Sequence, residues 1–239
     1  MKKFWNWAKV TNESGEEISR LYLNGPISED TWWGDEVTPA AFKESLDAID
    51  GDIEVWINSP GGDVFAAAQI YNMLMERKGH VKVMIDSLAA SAASVIAMAG
   101  TDVFISPTGM IMIHNPATIA FGDHNEMQKA IDVLNEVRES IINAYQIKTG
   151  MSRQKLARLM EDETWMNARK AVELGFADKI AFTDGEKDTA PAAADFSTKT
   201  YVASITNKLT AAYHIAPEPD NSVEVKAYYD RLNEIKKNF

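Results

Sequence analysis

The chain has 239 residues, 46% hydrophobic and 25% charged, which suits one large globular domain with an appendage. Asp and Glu outnumber Lys and Arg by 35 to 24 without a basic cluster, which argues against binding nucleic acid through its phosphates. Cysteine is absent, which excludes disulfides, thiolate metal sites and a cysteine nucleophile. No apolar run is long enough to span a membrane, and polar residues follow the basic start where a signal peptide is apolar, so we expect a cytoplasmic protein without a membrane partner.

The first half of the chain alternates short apolar strands with helices. The predicted strands are 17–28, 53–57, 81–85, 102–105 and 110–113. The predicted helices are 38–50, 64–77 and a small-residue helix at 89–99. This alternation predicts an α/β fold with a mostly parallel sheet and helices on its faces.

The second half is predicted to be helical and then to change in character. The predicted helices are 125–148, 152–160 and 168–174. The first of them has an apolar stripe along its length and Gly150 as its C-cap, and the stripe is longer than one small domain needs for its own core. The polar, Ala/Pro-rich stretch 184–200 is typical of a linker. We therefore predict a domain over 1–183, then this linker, and a C-terminal tail with short helices over 201–239.

The alanine-rich segment 87–94 contains three serines after a predicted strand. A nucleophile at the tight start of a helix gains exposure and close backbone approach, and the small neighbours of Ser91 allow both. Ser87 and Ser94 are rivals on local composition, and a close-packed Ala/Ser helix face accounts for all three without any chemistry. The local pattern therefore leaves the nucleophile open.

Two nearby features could support the same chemistry. Gly61 and Gly62 follow a strand, where glycines leave backbone N–H groups uncovered to hold an oxyanion, although a plain strand-to-helix turn is the simpler explanation. His114 follows the apolar strand 110–113 and can take a proton from a serine near neutral pH, although a structural histidine is the simpler explanation. No His, Asp or Glu cluster has the spacing of a metal site.

Taken in order, Asn-Ser-Pro-Gly-Gly at 58–62, Ala-Ala-Ser at 89–91 and Met-Ile-His-Asn-Pro at 112–116 resemble the motifs of the ClpP family of serine peptidases. The resemblance covers roughly residues 17–183. It implies a ClpP/crotonase-like spiral of repeated β-β-α units, in which the helix at 125–148 is a protruding handle that mediates ring contacts.

The resemblance also implies a role for each matched residue. The family's nucleophile falls on Ser91 and its base on His114. The oxyanion donors are expected to be the backbone N–H groups of Gly62 and Ala92. Substrate is expected to bind as an added strand, along residues 117–121 and the stretch after Gly62. The expected substrate-binding residues are Gly61, Asp63, Ile119 and Phe121.

The third member of the triad departs from the family pattern. The family has an Asp eight residues before the Ala that opens its closing helix, and counting back from Ala171 gives Glu163 instead. A shift of one residue brings Asp162 to this position, and either carboxylate can orient an imidazole. The alignment selects Glu163. If the acidic run is only solvated surface or a helix end, the enzyme works as a Ser-His dyad.

Within the family, the Glu-Thr-Trp motif at 163–165 and the extension 184–239 look most like phage or prophage head-maturation proteases. The resemblance then implies an endopeptidase that processes scaffold or capsid protein, uses neither cofactor nor metal, and forms hexameric or heptameric rings that often stack in pairs. The alternative within the family is a housekeeping degradative subunit fed by an AAA+ unfoldase. Outside it, the alternatives are a non-catalytic ring module and a crotonase-like CoA enzyme, which holds a thioester enolate on glycine amides.

Overall fold

The computed structural model describes residues 7–11, 17–29 and 38–183; the predicted linker and C-terminal tail lie outside these ranges. The strands are β1 Trp7–Thr11, β2 Glu17–Asn24, β3 Ile53–Ser59, β4 Val81–Ala90, β5 Asp102–Ile105, β6 Met110–Ile113, β7 Thr164–Asn167 and β8 Lys179–Ile180. The helices are α1 Pro39–Asp47, α2 Val64–Met75, α3 Ala92–Ala97, α4 His124–Thr149, α5 Arg153–Glu161 and α6 Ala168–Glu173.

The strands form one mixed sheet in the order β1-β2-β3-β4-β5-β8, with β6 joined to β4 and β7 joined to β6. The pairs from β2 to β5 and on to β8 are parallel, whereas β1 pairs with β2 and β7 pairs with β6 in the antiparallel sense. Parallel neighbours need a crossover, which α2 supplies between β3 and β4 and α3 supplies between β4 and β5. The predicted α/β fold with a mostly parallel sheet is confirmed.

Strand β4 belongs to both parts of this sheet. Its first half pairs with β5 from Lys82 to Ile85, and its end pairs with β6 from Leu88 to Ala90. The prediction of a helix at 89–99 is therefore wrong at its start, because pairing with β6 outweighs the weak helix preference of two alanines. The chain becomes helical only after Ser91.

The core lies between the sheet and the helices on one of its faces. Inward-facing strand residues such as Val55, Val83 and Ile105 are completely buried. Alanines on the facing helices, among them Ala67 and Ala93, are also completely buried and allow close packing against the sheet. This packing holds the carboxyl ends of β3 and β4 against each other, so the turns that follow these two strands lie side by side.

Helix α4 has 26 residues, and it ends at Gly150 in the left-handed conformation at φ 68°, as predicted. Its buried residues all lie near its C-terminal end, at Ile141, Ile142, Ala144 and Tyr145. Farther towards its start, Ile131 is 51% exposed, so the predicted apolar stripe is left uncovered there by the described part of the chain. No helix in the described ranges has the length and apolar character needed to cross a bilayer.

Candidate active site

Ser91 lies at a sharp turn where strand β4 ends and helix α3 begins. Its backbone has φ 53° and ψ −124°, which is an unfavourable conformation for a residue with a side chain. The surroundings hold it there, because its N–H donates to the carbonyl of Met112 on β6 at 2.8 Å. Alanines on both sides allow the turn to pack without a clash.

The hydroxyl of Ser91 faces the imidazole of His114. Ser91 does not cap α3 with its side chain, and its Oγ lies 2.7 Å from His114 Nε2. His114 follows directly after β6, whose pairing with β4 aligns Met112 with Ala90 and so brings the two side chains together. This is the contact that a serine nucleophile needs with a general base.

The rival serines have different environments. Ser94 is completely buried and donates its hydroxyl hydrogen to the carbonyl of Ser91 at 2.6 Å. Ser87 is exposed on β4, before the turn. Of the three, Ser91 is the serine in contact with His114.

The turn at Gly61 and Gly62 packs directly against Ser91. A Cβ atom built on Gly61 would lie 2.8 Å from the Cβ of Ser91 and 2.9 Å from the nitrogen of Ala92, so no larger residue fits without displacing the turn. Gly61 and Gly62 also have φ values of 92° and 149°, in the region that residues with side chains rarely adopt. A Cβ atom built on Gly62 would instead lie 2.0 Å from the carbonyl oxygen of Ile27. Gly61 is therefore required by the close approach of the two turns, and Gly62 by its contact with Ile27.

Hydrogen bonding around this turn distinguishes the two glycine amides. The Gly61 N–H donates to the buried Ser59 Oγ at 3.1 Å. The bridge to Ile27 uses the Gly61 carbonyl and the Asp63 N–H, each at 2.9 Å, and leaves the Gly62 N–H outside the ladder.

Ala92 is the first residue of α3, and a first-turn N–H has no partner within its own helix. The N–H groups of Gly62 and Ala92, which are expected to hold an oxyanion, are thus not used by the bridge to Ile27 or by the hydrogen bonds within α3.

Burial dominates the electrostatics of His114. It lowers the pKa of the imidazole, and the negative charge of Glu163 raises it by a smaller amount. The neutral imidazole is therefore favoured near neutral pH, which is the form that can accept a proton from a hydroxyl.

The acidic run 161–163 is divided by the end of helix α5. Asp162 is exposed and is the C-cap of α5, with its N–H bonded to the carbonyls of Arg158 and Met160. Glu163 turns the chain into β7 with φ 46° and is half-buried. Strands β6 and β7 pair Ile113 with Thr164, so the same antiparallel register continued by one step sets His114 opposite Glu163.

Trp165 also contacts this carboxylate, because its indole N–H donates to Glu163 Oε1 at 3.2 Å. Sequence patterns did not predict this contact, since β7 has only four residues and no clear alternation. The prediction of Glu163 came from the family resemblance, and the register of β6 and β7 is an independent reason to prefer it to Asp162.

The expected substrate-binding residues differ in their surroundings. The side chain of Asp63 caps α2 and accepts from the Ala66 N–H at 2.7 Å, so it has a structural contact of its own. Ile119 and Phe121 are 76% and 88% exposed, in a segment that follows His114 and forms neither helix nor strand.

The site therefore combines a strained serine, a partly buried imidazole, a carboxylate whose charge acts on that imidazole, and a glycine turn whose Gly62 N–H lies outside the bridge to Ile27. The family model described as Clp protease matches residues 35–184, more than half of the 239 residues. The chain belongs to the Clp protease family and is a serine-type peptidase.

Proposed function

We propose that this chain is a serine endopeptidase in which Ser91 is the nucleophile, His114 the general base and Glu163 the carboxylate that orients the imidazole. The observation that carries the proposal is the 2.7 Å contact of Ser91 Oγ with His114 Nε2 at a strained strand-to-helix turn. The lowered pKa of His114 supports its role, because a base must be deprotonated before the reaction starts.

The proposed reaction has two steps. His114 takes the proton of Ser91 Oγ as the oxygen attacks a peptide carbonyl, and then gives that proton to the leaving amine. The N–H groups of Gly62 and Ala92 hold the oxyanion, and each such donor contributes about 3 kcal/mol to lowering the barrier. Water, deprotonated by His114, then hydrolyses the acyl-enzyme and restores the free serine.

The choice of Glu163 as the third member is supported by its charge and its register. Its carboxylate raises the pKa of His114 against the effect of burial, which is what a triad carboxylate does. Asp162 is exposed at the end of α5, where water weakens any interaction with the imidazole.

Substrate is proposed to bind in an extended conformation beside His114. Residues 117–121 form neither helix nor strand, so their backbone is suited to pairing with an added strand. Ile119 and Phe121 offer exposed apolar side chains along that edge, and Gly61 and Gly62 form the other side near Ser91.

The proposed biological role is maturation of a phage or prophage head by cutting scaffold or capsid protein. The Glu-Thr-Trp run at 163–165 and the extension of the chain past the family match at 184 favour this subgroup. The proposed working form is a hexameric or heptameric ring. The alternative is a degradative subunit that depends on an AAA+ unfoldase.

Product size separates these two roles. The purified chain is incubated with an unfolded protein in the absence of ATP, and the products are measured by mass spectrometry. A maturation protease should give a few large fragments, whereas short peptides throughout the substrate favour the degradative alternative. Mass photometry with and without residues 184–239 measures the ring size and the contribution of the tail.

Fluorophosphonate labelling with peptide mapping tests the chemistry. We expect one label, on Ser91, that disappears in Ser91→Ala and persists in the control Ser87→Ala. An assembled protein that takes no label, or takes it at another serine, contradicts the proposal. Unchanged activity in His114→Ala would indicate a different base, such as a lysine.

A further inference from the structure

Behind Ser91, two buried hydroxyl groups link the active-site turn to helix α4. Tyr145 of α4 and Ser94 of α3 are 1% and 0% exposed. The hydroxyl oxygens of these two residues are 2.7 Å apart, and Ser94 Oγ lies 2.6 Å from the carbonyl oxygen of Ser91. The Tyr145 hydroxyl, the Ser94 hydroxyl and the Ser91 carbonyl therefore form a row of hydrogen-bonded groups that ends on the backbone of the proposed nucleophile.

The direction of these hydrogen bonds follows from the number of protons. A serine hydroxyl has one hydrogen to donate, and Ser94 donates it to the Ser91 carbonyl. The hydrogen between Tyr145 and Ser94 must then come from the tyrosine. Burial raises the pKa of Tyr145 far above its ordinary value, so the phenol keeps this hydrogen at every pH at which the enzyme works.

The Ser91 carbonyl accepts two hydrogen bonds, and both come from Ser94. It accepts the Ser94 N–H at 2.9 Å in addition to the Ser94 hydroxyl. A peptide unit is planar, so this carbonyl and the N–H of Ala92 belong to one rigid group and point in opposite directions. Fixing the carbonyl of Ser91 therefore fixes the direction of the Ala92 N–H.

We propose that Ser94 and Tyr145 are positioning residues for the oxyanion hole, which hold the peptide between Ser91 and Ala92 so that the Ala92 N–H faces the reacting carbonyl. The inference rests on the proposed function, since it takes Ala92 as an oxyanion donor. It adds two residues that touch neither the substrate nor His114.

Two features favour this role over simple filling of the core. An Ala and a Phe would fill the same space without burying two hydroxyls, and buried hydroxyls are stable only when they are hydrogen-bonded. The row also ends on the residue whose backbone is strained, at φ 53°. Without the side-chain bond, rotation of this peptide unit is opposed mainly by the Ser94 N–H.

Tyr145→Phe is the main test, because it removes only the hydroxyl. We expect kcat on a fluorogenic peptide to fall about 10-fold, a fraction of the ~10²–10³-fold loss on removal of a whole oxyanion donor. KM and the acid limb of the pH profile should stay unchanged. Binding of a peptide boronic acid, whose tetrahedral adduct occupies the oxyanion hole, should weaken by the same factor as kcat/KM.

Tyr71→Phe is the matched control, since the Tyr71 hydroxyl is buried without a hydrogen-bond partner in the described part of the chain. We expect it to leave kcat and boronate binding unchanged. Ser94→Ala should lower kcat at least as far as Tyr145→Phe does. Adding Tyr145→Phe to Ser94→Ala should lower kcat no further and should raise Tm, because the tyrosine hydroxyl that has lost its partner is removed.

The outcomes separate this inference from the proposed function. If the wild type is not labelled at Ser91 by fluorophosphonate, both fail. If it is labelled there, but Tyr145→Phe changes Tm alone and leaves kcat and boronate binding at wild-type values, the proposed function stands and the positioning role is wrong. Additive losses of kcat in the double variant also contradict the role, because Tyr145 would then not act through Ser94.

Discussion

The two sides of the site are built in different ways. Gly61 and Ser91 follow the ends of β3 and β4, where two backbone turns touch and no larger side chain fits between them. His114 and Glu163 follow β6 and precede β7, are only partly buried, and interact through charge. Changes on the first side should therefore cause large losses of activity through steric overlap, and changes on the second side should cause smaller losses.

Gly61→Ala should have the largest effect. The new Cβ would lie 2.9 Å from the nitrogen of Ala92 and 2.5 Å from the carbonyl oxygen of Ala90, so the turn must move and the oxyanion donors separate. We expect kcat/KM to fall by about 10²–10³-fold, the cost of losing one oxyanion donor. Steady-state kinetics measure the loss, and circular dichroism verifies the fold.

Gly51→Ala is the control for backbone strain. Gly51 also has positive φ, at 78°, but nothing lies within 4 Å of a Cβ built on it. It should lower stability by about 1 kcal/mol and leave kcat/KM unchanged. Equal activity of Gly61→Ala and Gly51→Ala would mean that the contact between the two turns has no catalytic role.

Glu163→Gln should have an intermediate effect. A fully buried triad carboxylate contributes about 10⁴-fold, and the partly exposed Glu163 should contribute less, about 10–100-fold in kcat/KM. The acid limb should also move to lower pH, because the Glu163 charge raises the pKa of His114. Asp162→Asn is the control and should change neither quantity. A larger loss in Asp162→Asn than in Glu163→Gln would mean that Asp162, and not Glu163, orients the imidazole.

The pH dependence tests the electrostatics of His114 directly. Burial lowers its pKa below the ordinary 6.5, so the acid limb of kcat/KM should have its midpoint below that value. The contribution of His114 to stability is present above the unfolded-state pKa and is lost as the pH falls through the folded-state pKa. NMR titration of the imidazole gives the same pKa independently, and a midpoint above 7 would contradict this assignment.

Trp165→Phe should have the smallest effect. It removes the indole N–H that donates to Glu163 at 3.2 Å, and one such bond contributes about 1 kcal/mol, so kcat/KM should fall by less than about 5-fold. Trp56→Phe is the matched control, because its indole donates at the same distance to Glu54, which is bonded to Lys82 on the sheet. A large loss in the control would point to general destabilisation.

Local patterns in the sequence were sufficient for most of the fold. The apolar strands and the striped helices are strong short-range signals, and they predict the parallel sheet and the end of α4 at Gly150. Strand β7 was missed because its four residues are paired through contacts with β6 that no local pattern contains. The extension of β4 to Ala90 was missed for the same reason.

The site depended more on resemblance than on local pattern. The three serines at 87, 91 and 94 were equivalent by composition, and the ordered motifs favoured Ser91. Neither the local pattern nor the resemblance could predict the hydrogen bond between Ser94 and Tyr145, because these residues are 51 positions apart and each one also fits an ordinary core position. In the sequence, such a hydrogen bond is indicated only by a hydroxyl residue among the apolar positions of a helix.

The pairing of β7 with β6 has a consequence for the newly made protein. Ser91 and the glycine turn emerge from the ribosome early, but the strand that sets Glu163 beside the imidazole follows more than seventy residues later. Domains generally fold as units during synthesis. We therefore expect the full set of Ser91, His114 and Glu163 to come together only after β7 has been made and can pair with β6.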